Sequence, residues 1–144
     1  MLKNLLAVLL GYLVMFVLIF ALFSAIMLGL GIEGTYKPAS WEPTTLWIAL
    51  SFVADLIAAF VGGWVCLRVA RDRRAALWLM GLMLIMGVVS IAMQASAPRT
   101  LEQRPPKVSP MEAAGKSAPP LWAAFGHVAF GLAGVWLARG TYKQ

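Results

Sequence analysis

Residues 45–67 read TLWIALSFVADLIAAFVGGWVCL, and their reading decides the fold. An α-helix rises about 1.5 Å per residue, so about 20 apolar residues cross a hydrocarbon core about 30 Å thick. The stretch has that length, contains no Pro, Lys or Arg, and holds a single charge, Asp55. It reads as a membrane span. Three more runs of the same character lie at residues 5–32, 75–95 and 121–138. The sequence therefore predicts an all-α integral membrane protein, four transmembrane helices in an up-down bundle. Residues 1–144 form one domain on this reading, with a Pro-rich extracytoplasmic loop at 98–120. A soluble fold is excluded by composition: 61% of the 144 residues are apolar, and so short a chain has no core large enough to hide them.

The chain carries a net charge of +6. In a soluble protein that balance would suggest nucleic acid as a partner, but here the basic residues sort by side. Lys3, Arg68, Arg71, Arg73, Arg74, Arg139 and Lys143 fall on one side of the four spans, against one acid, Asp72. Lys37 lies on the other side with Glu33 and Glu42. Excess Lys and Arg mark the cytoplasmic side, which places both termini in the cytoplasm of a bacterial inner membrane. Arg99, Arg104, Lys107 and Lys116 dilute the bias from the outer loop. The cluster at 68–74 is denser and tightly flanked by spans, so it takes precedence. Its four arginines are topology signals first, and secondarily contacts for anionic headgroups at about 1 kcal/mol each. Trp47 and Trp122 fall at predicted outer ends and Trp64, Trp78 and Trp136 near inner ends, where indoles favour the headgroup level. Trp41 and Tyr36 are expected to rest on the same interface.

The first run is about twice a signal-peptide core and Phe23-Ser24-Ala25 is a poor cleavage site, so it reads as a retained anchor. Its last turn, Gly29-Leu30-Gly31, is placed to leave the hydrocarbon. Prolines crowd the 98–120 segment, which predicts an extended or disordered linker. The single cysteine, Cys66, excludes an internal disulfide and reads as a packing residue.

Asp55 is the costliest residue in the chain, since a mid-span carboxylate costs about 2.5–3.5 kcal/mol on insertion scales. Ser51, Asp55, Ala59, Gly62, Gly63 and Cys66 recur at three- and four-residue spacing, forming one small, polar stripe. Such a stripe lets another helix approach closely. His127, the only histidine, lies on a second small stripe with Ala123, Gly131 and Gly134. Asp55 and His127 each precede a span-end tryptophan, Trp64 or Trp136, by nine positions. Both therefore sit at the same depth, and we expect them to face each other across the bundle interior. The pair serves either as a register-setting hydrogen bond, with Ser51, Ser90 or Gln94 near it, or as a proton or ion site that titrates as a unit.

Aligning Trp64 with Trp136 also matches Gly62 to Gly134 and Ala59 to Gly131, with Gly11 meeting Gly81 at a similar offset. These matches suggest two repeated helical hairpins of parallel direction. Ala21, Ala25 and Gly29 form a small-xxx-small run suited to packing or to a homodimer seam. One histidine gives neither bis-histidine haem ligation nor a paired-histidine metal site. Serine-hydrolase and nucleotide-binding motifs are lacking. The expectation is a non-enzymatic accessory subunit or interaction protein without metal or cofactor. Its partners would be the bilayer and other membrane subunits or itself, not nucleic acid. The alternative is a small oligomeric transporter or proton pathway built on Asp55 and His127.

Overall fold

The computed structural model describes residues 2–96, 103–105 and 107–142. In chain order its helices are α1 (Leu2–Thr35), α2 (Thr45–Ala70), α3 (Arg74–Ser96), α4 (Pro110–Lys116) and α5 (Leu121–Thr141). Among the described residues there is no strand, only an isolated bridge between Tyr36 and Pro43. Four helices, α1, α2, α3 and α5, are long and apolar enough to cross a membrane. They coincide with the four apolar runs, each extending a few residues past its run. The protein is thus an all-helical membrane protein.

Small residues set the packing around α2, which lies between α1 and α5. A methyl group on Gly62 would sit 2.6 Å from the carbonyl oxygen of Gly11 in α1. One on Gly134 of α5 would sit 2.5 Å from the Leu56 carbonyl and 2.8 Å from the Ala59 Cβ. Backbone meets backbone at both crossings, the contact that stands in for a hydrophobic drive inside lipid. Cys66 is fully buried in the same core, as a packing residue should be. The third span is held differently. It buries only Ala75, Ala76 and Leu79 near its start, and farther along Ile85, Val88 and Met93 are exposed.

Two hydrogen bonds tie together the helix ends near the arginine cluster. The Asn4 amide donates to Asp72 at 2.8 Å, and the Arg73 guanidinium donates to the Tyr142 carbonyl at 2.7 Å. We call this the basic end. Asp72 also accepts from the Arg74 backbone N–H, and this contact, then the Asn4 amide, holds its carboxyl below the usual range. Arg71 closes α2 in the left-handed conformation, φ 56°, with its N–H on the Leu67 carbonyl.

The opposite end is covered, which corrects the expectation of an extended or disordered linker over 98–120. Residues 98–102 and 106 of that region, with Arg99 and Glu102, lie outside the described residues, as does Lys143. The remainder is a docked strap. Ser109 caps α4, its hydroxyl accepting from the Glu112 N–H at 3.2 Å, and Pro110 opens the first turn. Arg104 is buried. Its guanidinium donates to both Glu33 oxygens at 3.0 and 3.1 Å and to the Ser40 carbonyl at 3.2 Å. Tyr36 and Trp41, expected at the membrane interface, are instead buried against Ala113 of α4. The Tyr36 hydroxyl donates to the Ala113 carbonyl at 3.0 Å, and the Ala118 N–H to the Trp41 carbonyl. Gly31 makes room for this arrangement. At φ 67° and ψ 177° it interrupts α1 in a region open only to glycine, so the last turn can re-aim Glu33 toward Arg104.

Candidate functional site

The crossing of α2 and α5 brings the two mid-span ionisable side chains together. Asp55 Oδ2 lies 2.5 Å from His127 Nδ1, within hydrogen-bonding distance. The equal spacing of both residues from Trp64 and Trp136 has its physical consequence here, because equal rise along neighbouring helices produces equal depth. Gly134 sits two turns beyond His127 and lets α5 close on α2 at Leu56 and Ala59, one residue and one turn beyond Asp55. The packing glycines and the ionisable pair therefore form one construction.

Aromatic rings frame the imidazole. The Phe52 ring stands edge-on to it with centroids 5.1 Å apart, and Phe23 of α1 lies at 6.2 Å. Phe52 also stacks on Phe130 at 4.9 Å.

The pair is not sealed. Asp55 is 8% exposed and His127 35%, and both line a cavity of about 540 Å³ between α1, α2, α3 and α5. Tyr12, Ser90 and Gln94 supply its other polar walls, and Ser117 and Pro119 of the strap close one end. Gln94 donates to the Pro119 carbonyl at 2.9 Å and so ties α3 to the strap. The cavity lies beside α3, whose buried residues cluster near its start, although Gly87 still packs on Val128 and Met83 on Gly131 farther along. A second cavity of about 420 Å³ adjoins it, lined by Phe16, Phe20, Phe23, Met27 and Trp47. Ile19, Ser117, Pro119 and His127 belong to the walls of both. No Lys or Arg lines either one among the described residues.

The other sequence-derived candidates are placed as follows. Ser51 is buried, but its hydroxyl donates to the Ile48 carbonyl of its own helix at 2.8 Å, so it is not joined to the pair. Ala59, Gly62, Gly63 and Gly134 sit at helix crossings, while Gly131 faces the Met83 methyl of α3. Arg68, Arg71, Arg73 and Arg74 are exposed at the basic end, with Arg68 stacked over Trp64 at 4.4 Å. Ala21, Ala25 and Gly29 are exposed and make no interhelical seam within the chain. No group of His, Cys, Asp and Glu able to hold a metal ion occurs among the described residues.

Sequence reasoning missed Arg104 and the second cavity. The strap helix carries a legible signal, Ser109-Pro110-Met111-Glu112, the start pattern of a capped helix. Burial of Arg104 carries none, since it depends on a fold that brings Glu33 and Ser40 to meet it. No protein-family model matches the chain, and no curated protein or solved structure does so.

Proposed function

We propose that this protein is a small membrane carrier or proton pathway in which the Asp55–His127 pair takes up and releases a proton. The observation that supports this reading is the cavity at the pair. A hydrogen bond whose only task is helix register is best kept dry and closely packed. This one stands on the wall of a space of about 540 Å³ that also exposes Tyr12, Ser90 and Gln94. An intramembrane acid beside a base and next to a cavity has the parts of a proton relay. The frame we propose for it is an up-down four-helix bundle in the inner membrane of a bacterium. Both termini and the arginine cluster are cytoplasmic, and the strap is extracytoplasmic. The hairpin duplication draws support from Asp55 and His127 meeting at equal depth. Gly11 and Gly81 lend it none, since Gly11 packs on Gly62 whereas Gly81 has nothing within 4 Å.

One observation favours the accessory-subunit reading instead: α3 leaves most of its length uncovered within the chain. Lipid covers such a face as readily as a partner helix, which makes this the weaker basis.

Infrared difference spectra of the purified protein across pH separate the two. A proton-handling pair predicts a protonated-carboxyl stretch that appears and vanishes reversibly with pH and is absent from Asp55→Asn. A band that does not titrate in the folded wild type would leave Asp55 as a register-setting group.

A further inference from the structure

We propose that the aromatic cavity beside His127 binds an apolar, ring-bearing molecule through a single hydroxyl group, a lipid-soluble phenol in chemical class. The inference rests on the proton-handling reading above and names what that site would take. It begins with the two nitrogens of one imidazole. Nδ1 is engaged by Asp55 at 2.5 Å, while Nε2 has no hydrogen-bond partner among the described residues. Nε2 is therefore the nitrogen open to an occupant.

Its role is set by where the pair keeps its proton. With Asp55 ionised, Nδ1 carries hydrogen, and in the neutral ring Nε2 is an acceptor. With the proton on Asp55, the carboxyl donates to Nδ1 and Nε2 becomes a donor. A hydroxyl is the simple group that satisfies both states, donating in one and accepting in the other. An ether or a ketone accepts only.

Charge narrows the class further. The titratable groups facing the two cavities are Tyr12 and Tyr36, together with Asp55 and His127; α3 contributes only the uncharged Ser90 and Gln94. Without a lysine or arginine there, a carboxylate or phosphate head would be buried unpaired, at high cost. The walls favour a flat apolar body: Phe16, Phe20, Phe23 and Trp47 line the space, and its volume of about 420 Å³ falls in the range of small-molecule pockets. His127, in the wall shared with the polar cavity, is placed to bring the hydroxyl of such a molecule up to the proton-handling pair.

The test is equilibrium dialysis of the full chain in detergent micelles, comparing 2-naphthol with 2-methoxynaphthalene. The two share a ring system and differ in whether the oxygen carries hydrogen. After subtraction of empty micelles, naphthol should bind about tenfold more tightly, the worth of one good hydrogen bond. That preference should vanish in His127→Leu, with circular dichroism showing that the helices persist, while Trp47→Ala should weaken both probes alike. Equal binding of the two probes to wild-type protein would overturn the proposal without recourse to a variant. So would stronger binding of 2-naphthylmethylammonium, which would make Asp55 the recognising group. If a titrating Asp55 band accompanies either result, the proton-handling reading stands and only the ligand class fails. If the band is absent too, both fail.

Discussion

Asp55→Asn and Asp55→Ala separate the two contributions of one residue. An asparagine oxygen still accepts from His127 Nδ1, so helix pairing survives and thermal stability should change by no more than about 1 kcal/mol. Alanine leaves the imidazole without a partner across the α2–α5 crossing and should cost about 1–3 kcal/mol, read from thermal melts in detergent. Three glycines give a parallel contrast. Gly134→Leu drives a side chain into the Leu56 carbonyl and the Ala59 methyl, and should prevent recovery of folded, monodisperse protein. Gly81→Ala meets open space and should be neutral or stabilising by up to about 1 kcal/mol, because glycine is a poor helix former. Gly31→Ala forces an L-residue into a backbone region reserved for glycine and should cost about 1–3 kcal/mol.

Among the elements, the strap yields the sharpest expectation. Arg104 joins it to Glu33 and Ser40 through three guanidinium hydrogen bonds. Arg104→Met keeps much of the side-chain volume and removes all three. It should release the segment around α4 to limited proteolysis while the four long helices stay resistant. At the basic end, Asp72 gives a pH dependence. Its carboxyl is held below the ordinary range by the Arg74 N–H and the Asn4 amide, so its contribution is present at neutral pH. That contribution is lost as pH falls through the lowered folded-state pKa. Melts of wild type and Asp72→Asn should therefore differ at neutral pH and converge in acid. These two ends also show what a sequence can and cannot disclose. The four long helices were legible because an apolar run of membrane length has one ready interpretation, and the Asp55–His127 contact because equal spacing from two tryptophans fixes depth. The docking of the strap was hidden. Its prolines argue for an extended chain, while the contacts that order it, Arg104 to Glu33 and Tyr36 to Ala113, join residues about 70 or more positions apart. Tyr36 and Trp41 were misplaced for the same reason: aromatic residues after a span look interfacial until something is known to cover them.

At the scale of the whole molecule, one asymmetry accounts for the candidate site. α2 is gripped on both sides by glycine-lined crossings, whereas α3 fully buries only Ala75, Ala76 and Leu79, near its start. Tight packing brings Asp55 and His127 together, and loose packing opens the space beside them. The strap then covers one end of that space through Ser117 and Pro119. A carrier needs both halves, since a rigid pair without a cavity moves nothing, and a cavity without ionisable walls has no hold on a proton. The most direct measurement is proton flux into proteoliposomes under an imposed pH gradient, with the membrane potential clamped and wild type compared with Asp55→Asn. The account predicts flux above that of empty liposomes, lost in the variant although it reconstitutes with its helices intact. Wild-type protein that is folded and oriented in the bilayer yet passes no more protons than empty liposomes would contradict it.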